Sequence, residues 1–177
     1  IGAKISYTNN EEKDFIPTNL RIGFATTADI DEYNKITFAF DANKLMVPSP
    51  PIYDTSNGQS IIASGKDPNR PLLSGIFGSF SDAPGGFKEE MREIMLSFGL
   101  EYWYTDLFAV RAGYFNEHIT KGNRKYFTLG IGIRYQVFGL DFAYLTTLEQ
   151  NHPLAETLRF TLLFDFEAFG KQKSIIE

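Results

Sequence analysis

Residues 126–137, "YFTLGIGIRYQV", alternate between large apolar side chains and small or polar ones without a break. Phe127, Leu129, Ile131, Ile133, Tyr135 and Val137 fall on one side. Tyr126, Thr128, Gly130, Gly132, Arg134 and Gln136 fall on the other. A period of two is the signature of a β-strand, whose side chains point to opposite faces in turn. The same pattern runs through "EIMLSFGLEYWY" (93–104) and "TLRFTLLFDF" (157–166). It predicts about eight strands, over 1–8, 18–27, 33–42, 91–104, 107–116, 125–137, 139–148 and 156–166. All but the first run ten to fourteen residues, where a soluble sheet uses about five or six. Their apolar face stays apolar from end to end, with aromatics near its ends, while the other face carries Gly, Ala, Thr, Arg and Glu. Lipid outside and small or polar residues inside produce this pattern. The fold class is therefore all-β, a transmembrane antiparallel β-barrel.

Loop lengths test that reading separately. The connections alternate long and short, the long ones at 9–17, 43–90, 117–124 and 149–155. Outer-membrane barrels have short periplasmic turns and long extracellular loops. The last strand closes on Phe164 and Phe166 before a tail, "EAFGKQKSIIE". A periplasmic tail puts every long loop outside the cell. The expectation is one outer-membrane domain over 1–177. The chain opens in mid-pattern, so these read as the C-terminal strands of a larger barrel, incomplete at the N-terminus.

Composition narrows the chemistry. There is no cysteine, which excludes disulfides, Cys-zinc sites and thiol nucleophiles. A net charge of -5 with both signs interspersed argues against nucleic acid as a partner. No apolar run reaches the roughly eighteen residues of a transmembrane helix. His118 and His152 both fall in long loops, without the carboxylate spacing of a metal site, so no metal and no cofactor are expected. "GQSIIASGKD" (58–67) fails as a phosphate loop, because its glycines are too far apart and Asp67 follows Lys66. "KGNRKYF" (121–127) reads as a loop apex with solvated charge entering a strand.

On the inward face, Asp41, Glu93, Glu101, Asp141 and Asp165 stand against Arg21, Arg111, Arg134 and Arg159. A tight turn at Thr105-Asp106 predicts Glu101 diagonally near Arg111, and a turn at Phe138 does the same for Arg134 and Asp141. These four form the predicted lumen charge network.

The long loop 43–90 is the exception to turn chemistry. Turns are normally short and polar, yet "GIFGSFSDAPGGFKEE" (75–90) keeps Ile76, Phe77, Phe80 and Phe87. No helix of useful length is expected there. "PGGFKEEMREIM" has a helix-like start but runs straight into strand alternation. Apolar side chains in such a loop either cap the barrel or meet a partner.

The strings "GIFGSFSDAPGGFKEE", "FAVRAGYF", "KGNRKYFTLG" and "NHPLAETLRFTLLF", in this order, resemble the PorV family of the Bacteroidetes type IX secretion system, itself similar to FadL-like channels. The resemblance is strongest over about 75–166. It implies a barrel of about fourteen strands and no enzymatic activity. It implies a cargo shuttle, which binds the C-terminal signal domain of secreted cargo, takes it from the SprA or Sov translocon, and delivers it to an attachment complex containing the sortase PorU. Phe77, Phe80, Asp82, Pro84, Gly85, Gly86 and Phe87 match the family string and are the candidate partner-binding residues. A FadL-like channel for hydrophobic small molecules and a lipopolysaccharide-modifying protein are the other readings.

Overall fold

A computed structural model describes residues 4–5, 14–56, 60–148 and 157–166. The chain is built on one antiparallel sheet of seven long strands: β1 (Asn19–Asp29), β2 (Asn34–Leu45), β5 (Ile94–Tyr104), β6 (Phe108–Asn116), β7 (Lys125–Tyr135), β8 (Phe138–Thr147) and β9 (Thr157–Phe164). They pair in sequence order, so every neighbour is joined by the next connection, and β1 and β9 are the edges among the described residues. Between β2 and β5 lie a small hairpin, β3 (Ile52–Asp54) and β4 (Ile61–Ser64), and two short helices, α1 (Leu72–Gly78) and α2 (Phe87–Arg92). No helix among the described residues is long and apolar enough to cross a membrane.

The predicted strands at 18–27, 33–42, 107–116, 125–137, 139–148 and 156–166 are present with small shifts of their ends. Most of the predicted strand 1–8 lies outside the described residues, where Ile5 makes an isolated bridge to Asp14. So do 149–156, with His152, and the tail 167–177. The expectation of a helix-free loop is overturned by α1 and α2. The helix-like start at Gly86 does propagate, as far as Arg92, and the strand begins at Ile94 rather than at 91.

Contacts divide the chain into two compact units. The first comprises Ile1–Ile22, Ala42–Met95 and Glu117–Gly122, and the second Gly23–Asp41, Leu96–Asn116 and Asn123–Glu177. In the second unit, cross-strand aromatic pairs hold the ladders together. Phe115 stacks on Tyr126 with centroids 4.7 Å apart, Phe142 meets Phe160 at 5.1 Å, and Phe138 meets Phe164 at 5.3 Å. Such pairs stabilise a sheet by up to about 1 kcal/mol each. The face bearing Leu158, Phe160, Leu162 and Phe164 is exposed throughout, the reverse of a soluble sheet and the expected state of a membrane-facing one.

Candidate functional site

Two charged clusters are formed, one in each unit. The one in the sheet unit starts from its turns. Thr105 and Asp106 both adopt positive φ, and the β5–β6 turn takes three residues, so Tyr104 pairs with Phe108. Strand β6 therefore starts one residue later than the predicted 107, and Glu101 stands directly opposite Arg111 rather than diagonal to it. Arg111 Nε donates to Glu101 Oε2. The β7–β8 turn takes two residues, Gln136 and Val137, with Tyr135 paired to Phe138, so it falls just before the predicted position and Phe138 itself opens β8. Arg134 reaches diagonally to Asp141, Nη1 to Oδ1 at 2.9 Å and Nη2 to Oδ2 at 2.8 Å.

One link in this cluster was not foreseen: Arg111 Nη1 also donates to Asp141 Oδ1 at 2.8 Å, across an intervening strand. Gly132 on that strand makes room for it. A Cβ at 132 would sit 2.5 Å from Asp141 Oδ1 and 2.8 Å from Arg111 Nη1. Both guanidiniums also lie over the Trp103 ring, at 5.3 and 5.4 Å from its centroid, a favourable placement for a cation. Glu101, Arg111, Asp141 and Arg134 thus join into one chain of ion pairs, with side chains between about a fifth and a third exposed.

The cluster in the loop unit is drier. Lys44 Nζ donates to Glu90 Oε2 at 2.9 Å and to Glu93 Oε2 at 2.6 Å. Lys121 Nζ donates to Glu89 Oε1 at 2.7 Å and to Glu93 Oε1 at 2.9 Å. Ser49 Oγ also donates to Glu93 Oε1, at 2.7 Å. Glu93 is therefore not a lumen charge on β5. It is the residue after α2, and it collects three donors from three separate segments. Lys121 is not a solvated loop charge either, since its side chain is only 21% exposed. Burial alone would raise the Glu93 carboxyl, but hydrogen bonds from Lys44, Lys121 and Ser49 outweigh it and hold the group below its ordinary value. The Lys121 hydrogen bond and the Gly85 N–H hold Glu89 down likewise. Desolvation pulls the Lys121 ammonium down, and its bonds to Glu89 and Glu93 more than reverse this.

The same unit fixes the seven loop candidates. Asp82 is buried, its Oδ2 accepting from Arg70 Nη2 at 2.8 Å. Glu90 Oε1 accepts from the backbone N–H of Asp82 and of Ala83, at 2.7 and 2.8 Å. Pro84 O accepts from Ser64 Oγ, and Gly85 N donates to Glu89 Oε2. Gly86 precedes α2 with φ of 68°, a conformation open to glycine at little cost. Asp82, Pro84, Gly85 and Gly86 therefore shape the segment. Phe77 and Phe87 stand out from it, 71% and 79% exposed, with Phe80 half-exposed. His118 begins a short 3-10 turn, its Nδ1 accepting from Thr120 N. No group of acids and histidines that could hold a metal occurs among the described residues.

The long alternating strands, the exposed apolar face and the charged opposite face define an all-β protein built on a large antiparallel sheet. A family model described as type IX secretion system protein PorV matches residues 1–52. That match covers the start of the chain through β1 and β2, upstream of the strings at 75–166. No curated protein matches the chain.

Proposed function

We propose that this protein is a non-catalytic outer-membrane component of the type IX secretion system. It binds the C-terminal signal domain of cargo, collects it from a SprA- or Sov-type translocon, and delivers it to an attachment complex containing a PorU-type sortase. The match of residues 1–52 to the PorV family model carries this reading. The strands close in the membrane as a barrel, with the long loops at the cell surface and the tail in the periplasm. Glu101, Arg111, Arg134 and Asp141 line its interior and cross-brace the wall.

Partner binding falls to the loop segment 75–90, where Phe77, Phe80 and Phe87 form the contact surface and Asp82, Pro84, Gly85 and Gly86 hold its shape. Large exposed aromatic side chains on a fixed scaffold are the usual anchors of protein interfaces, and here they sit on a segment braced by buried ion pairs.

Replacing Phe77, Phe80 and Phe87 together with Ser tests this. The expected result is a folded protein of normal abundance in the outer membrane, with cargo retained instead of released. Normal secretion by that variant would overturn the role of the loop.

A further inference from the structure

A cavity of about 230 Å³ lies in the loop unit. Its walls are Leu20 and Ile22 of β1, Ile94 of β5, and Phe80, Phe87 and Met91 of the loop segment. The two strands present the same kind of face to it. Leu20 and Ile22 alternate with Arg21 and continue to Phe24, and Ile94 opens the series Leu96, Phe98, Leu100. On β5 this face is apolar along its length and on β1 from Leu20 to Phe24, and Ile22, Phe24, Phe98 and Leu100 on it are exposed.

The helices are turned the same way. Leu73 and Phe77 in α1, and Phe87 and Met91 in α2, are spaced four apart, which places each pair on one side of its helix. All four are exposed, while Glu90, on the same helix as Phe87, is buried. A loop folded for water alone would bury the apolar stripe and expose the acid. The charged groups of the wall, Lys44 and Glu90, are paired with each other at 2.9 Å, so apart from Asn43 the cavity offers an apolar surface with its charge already satisfied.

We propose that this cavity holds an acyl chain of a membrane lipid, so that α2 is seated in the hydrocarbon edge of the bilayer and not free in water. The proposal rests on reading the apolar face of the sheet as membrane-facing. It goes beyond the secretion role, because it gives Phe80 and Phe87, beside their part in the partner contact, a lipid neighbour shared with Met91, while Phe77 lies outside the cavity lining. The space suits the ligand. A dry cavity of about 150 Å³ lined by Leu, Ile and Phe admits benzene, and this larger one admits several methylenes of a chain. A free fatty acid offers the same chain. The membrane lipid is the occupant proposed, because the walls belong to the face that lipid already covers.

The test uses the full chain with its one tryptophan removed, Trp103→Phe, and a single new one placed at Phe87→Trp or, as a reference on β9, at Phe160→Trp. Each protein is reconstituted into phosphatidylcholine vesicles with and without brominated acyl chains. Both tryptophans are expected to lose most of their emission to bromine and little to aqueous iodide. Quenching of Phe160→Trp by bromine, with Phe87→Trp quenched only by iodide, would overturn the lipid site while keeping the sheet in the membrane. Loss of bromine quenching at both positions would overturn the membrane reading and this proposal with it. Saturable quenching of Phe87→Trp by a free brominated fatty acid in detergent, without quenching in brominated vesicles, would also overturn it. Met91→Trp repeats the readout from the next turn of α2, should Phe87→Trp fail to fold.

Discussion

Both charged clusters pair cations with carboxylates, Arg with Glu and Asp in the sheet unit and Lys with Glu in the loop unit, but they sit in different surroundings. In the sheet unit the ion-paired side chains keep about a fifth to a third of their surface in contact with solvent. In the loop unit Lys44, Glu90 and Glu93 keep about a tenth. Screening and hydration limit what a partly exposed pair contributes. A buried pair is nearly neutral against an apolar replacement, but removing one partner strands a charge in a dry site. The sheet cluster is therefore a brace that can lose a member. The loop cluster is a lock that cannot. Its three arms come from β2, the end of α2 and the turn after β6, so one largely enclosed carboxylate, Glu93, ties three stretches of chain together.

The largest expected effect follows from breaking the lock. Lys44→Met leaves Glu90 and Glu93 without their shared cation and should destabilise the segment 72–92 by about 3–5 kcal/mol. Hydrogen exchange of its amides would rise accordingly. Adding Glu90→Gln should restore most of the protection, because it removes the stranded charge, while Glu93 keeps its bond from Lys121. If Lys44→Met alone leaves the exchange unchanged, the contrast between lock and brace fails.

Acid should act on the lock next. Glu89 and Glu93 are held below their ordinary values, so their contribution is fully present above the usual carboxylate range, near pH 4.3. It is lost as pH falls through their lower folded-state values. Lys121 is held above its ordinary value, so its contribution is fully present below about pH 10.4 and is lost only as pH rises through the higher folded value. Protection of residues 72–92, taken relative to the intrinsic exchange rate at each pH, should stay flat from neutral pH down to about 5 and fall steeply below the ordinary carboxylate range. A loss of protection centred near neutral pH would contradict the assignment.

The brace should yield less. Arg111→Met is expected to cost about 1–2 kcal/mol. Gly132→Ala should cost a similar amount by pushing Arg111 and Asp141 apart. The double variant should be little worse than either single one, since both remove the same bridge. Fully additive losses would show that Gly132 is there for another reason. Smallest of all is the exposed pair of Lys35 and Asp106, 2.9 Å apart. Lys35→Ala should produce no measurable change in unfolding.

The sheet was legible because period two over ten residues has one structural meaning, and the turn at Thr105-Asp106 could be placed from residue type. One residue of turn length was not legible. Leu107 belongs to the turn, and that moved Arg111 from diagonal to directly opposite Glu101. The bridge from Arg111 to Asp141 depends on the missing side chain of Gly132, a contact between residues on three strands that no local pattern encodes. In the loop, α1 and α2 turn Leu73, Phe77, Phe87 and Met91 outward and bury only Ile76 of their large apolar residues, so the usual signal of a buried stripe is weak. Glu93 and Lys121 looked like a strand residue and a loop charge because their partners lie 28 to 49 positions away in sequence.

The central claim, that the exposed loop surface meets the secretion machinery, is tested most directly by a photoreactive residue at position 77 of the full protein in secreting cells. The adducts formed there are to be identified by mass. The account predicts cross-links to a very large outer-membrane translocon or to cargo C-terminal signal domains, absent when the same residue replaces Phe160 on β9. Cross-links only to lipid at position 77, or none at all while the protein is folded and secretion proceeds, would contradict it.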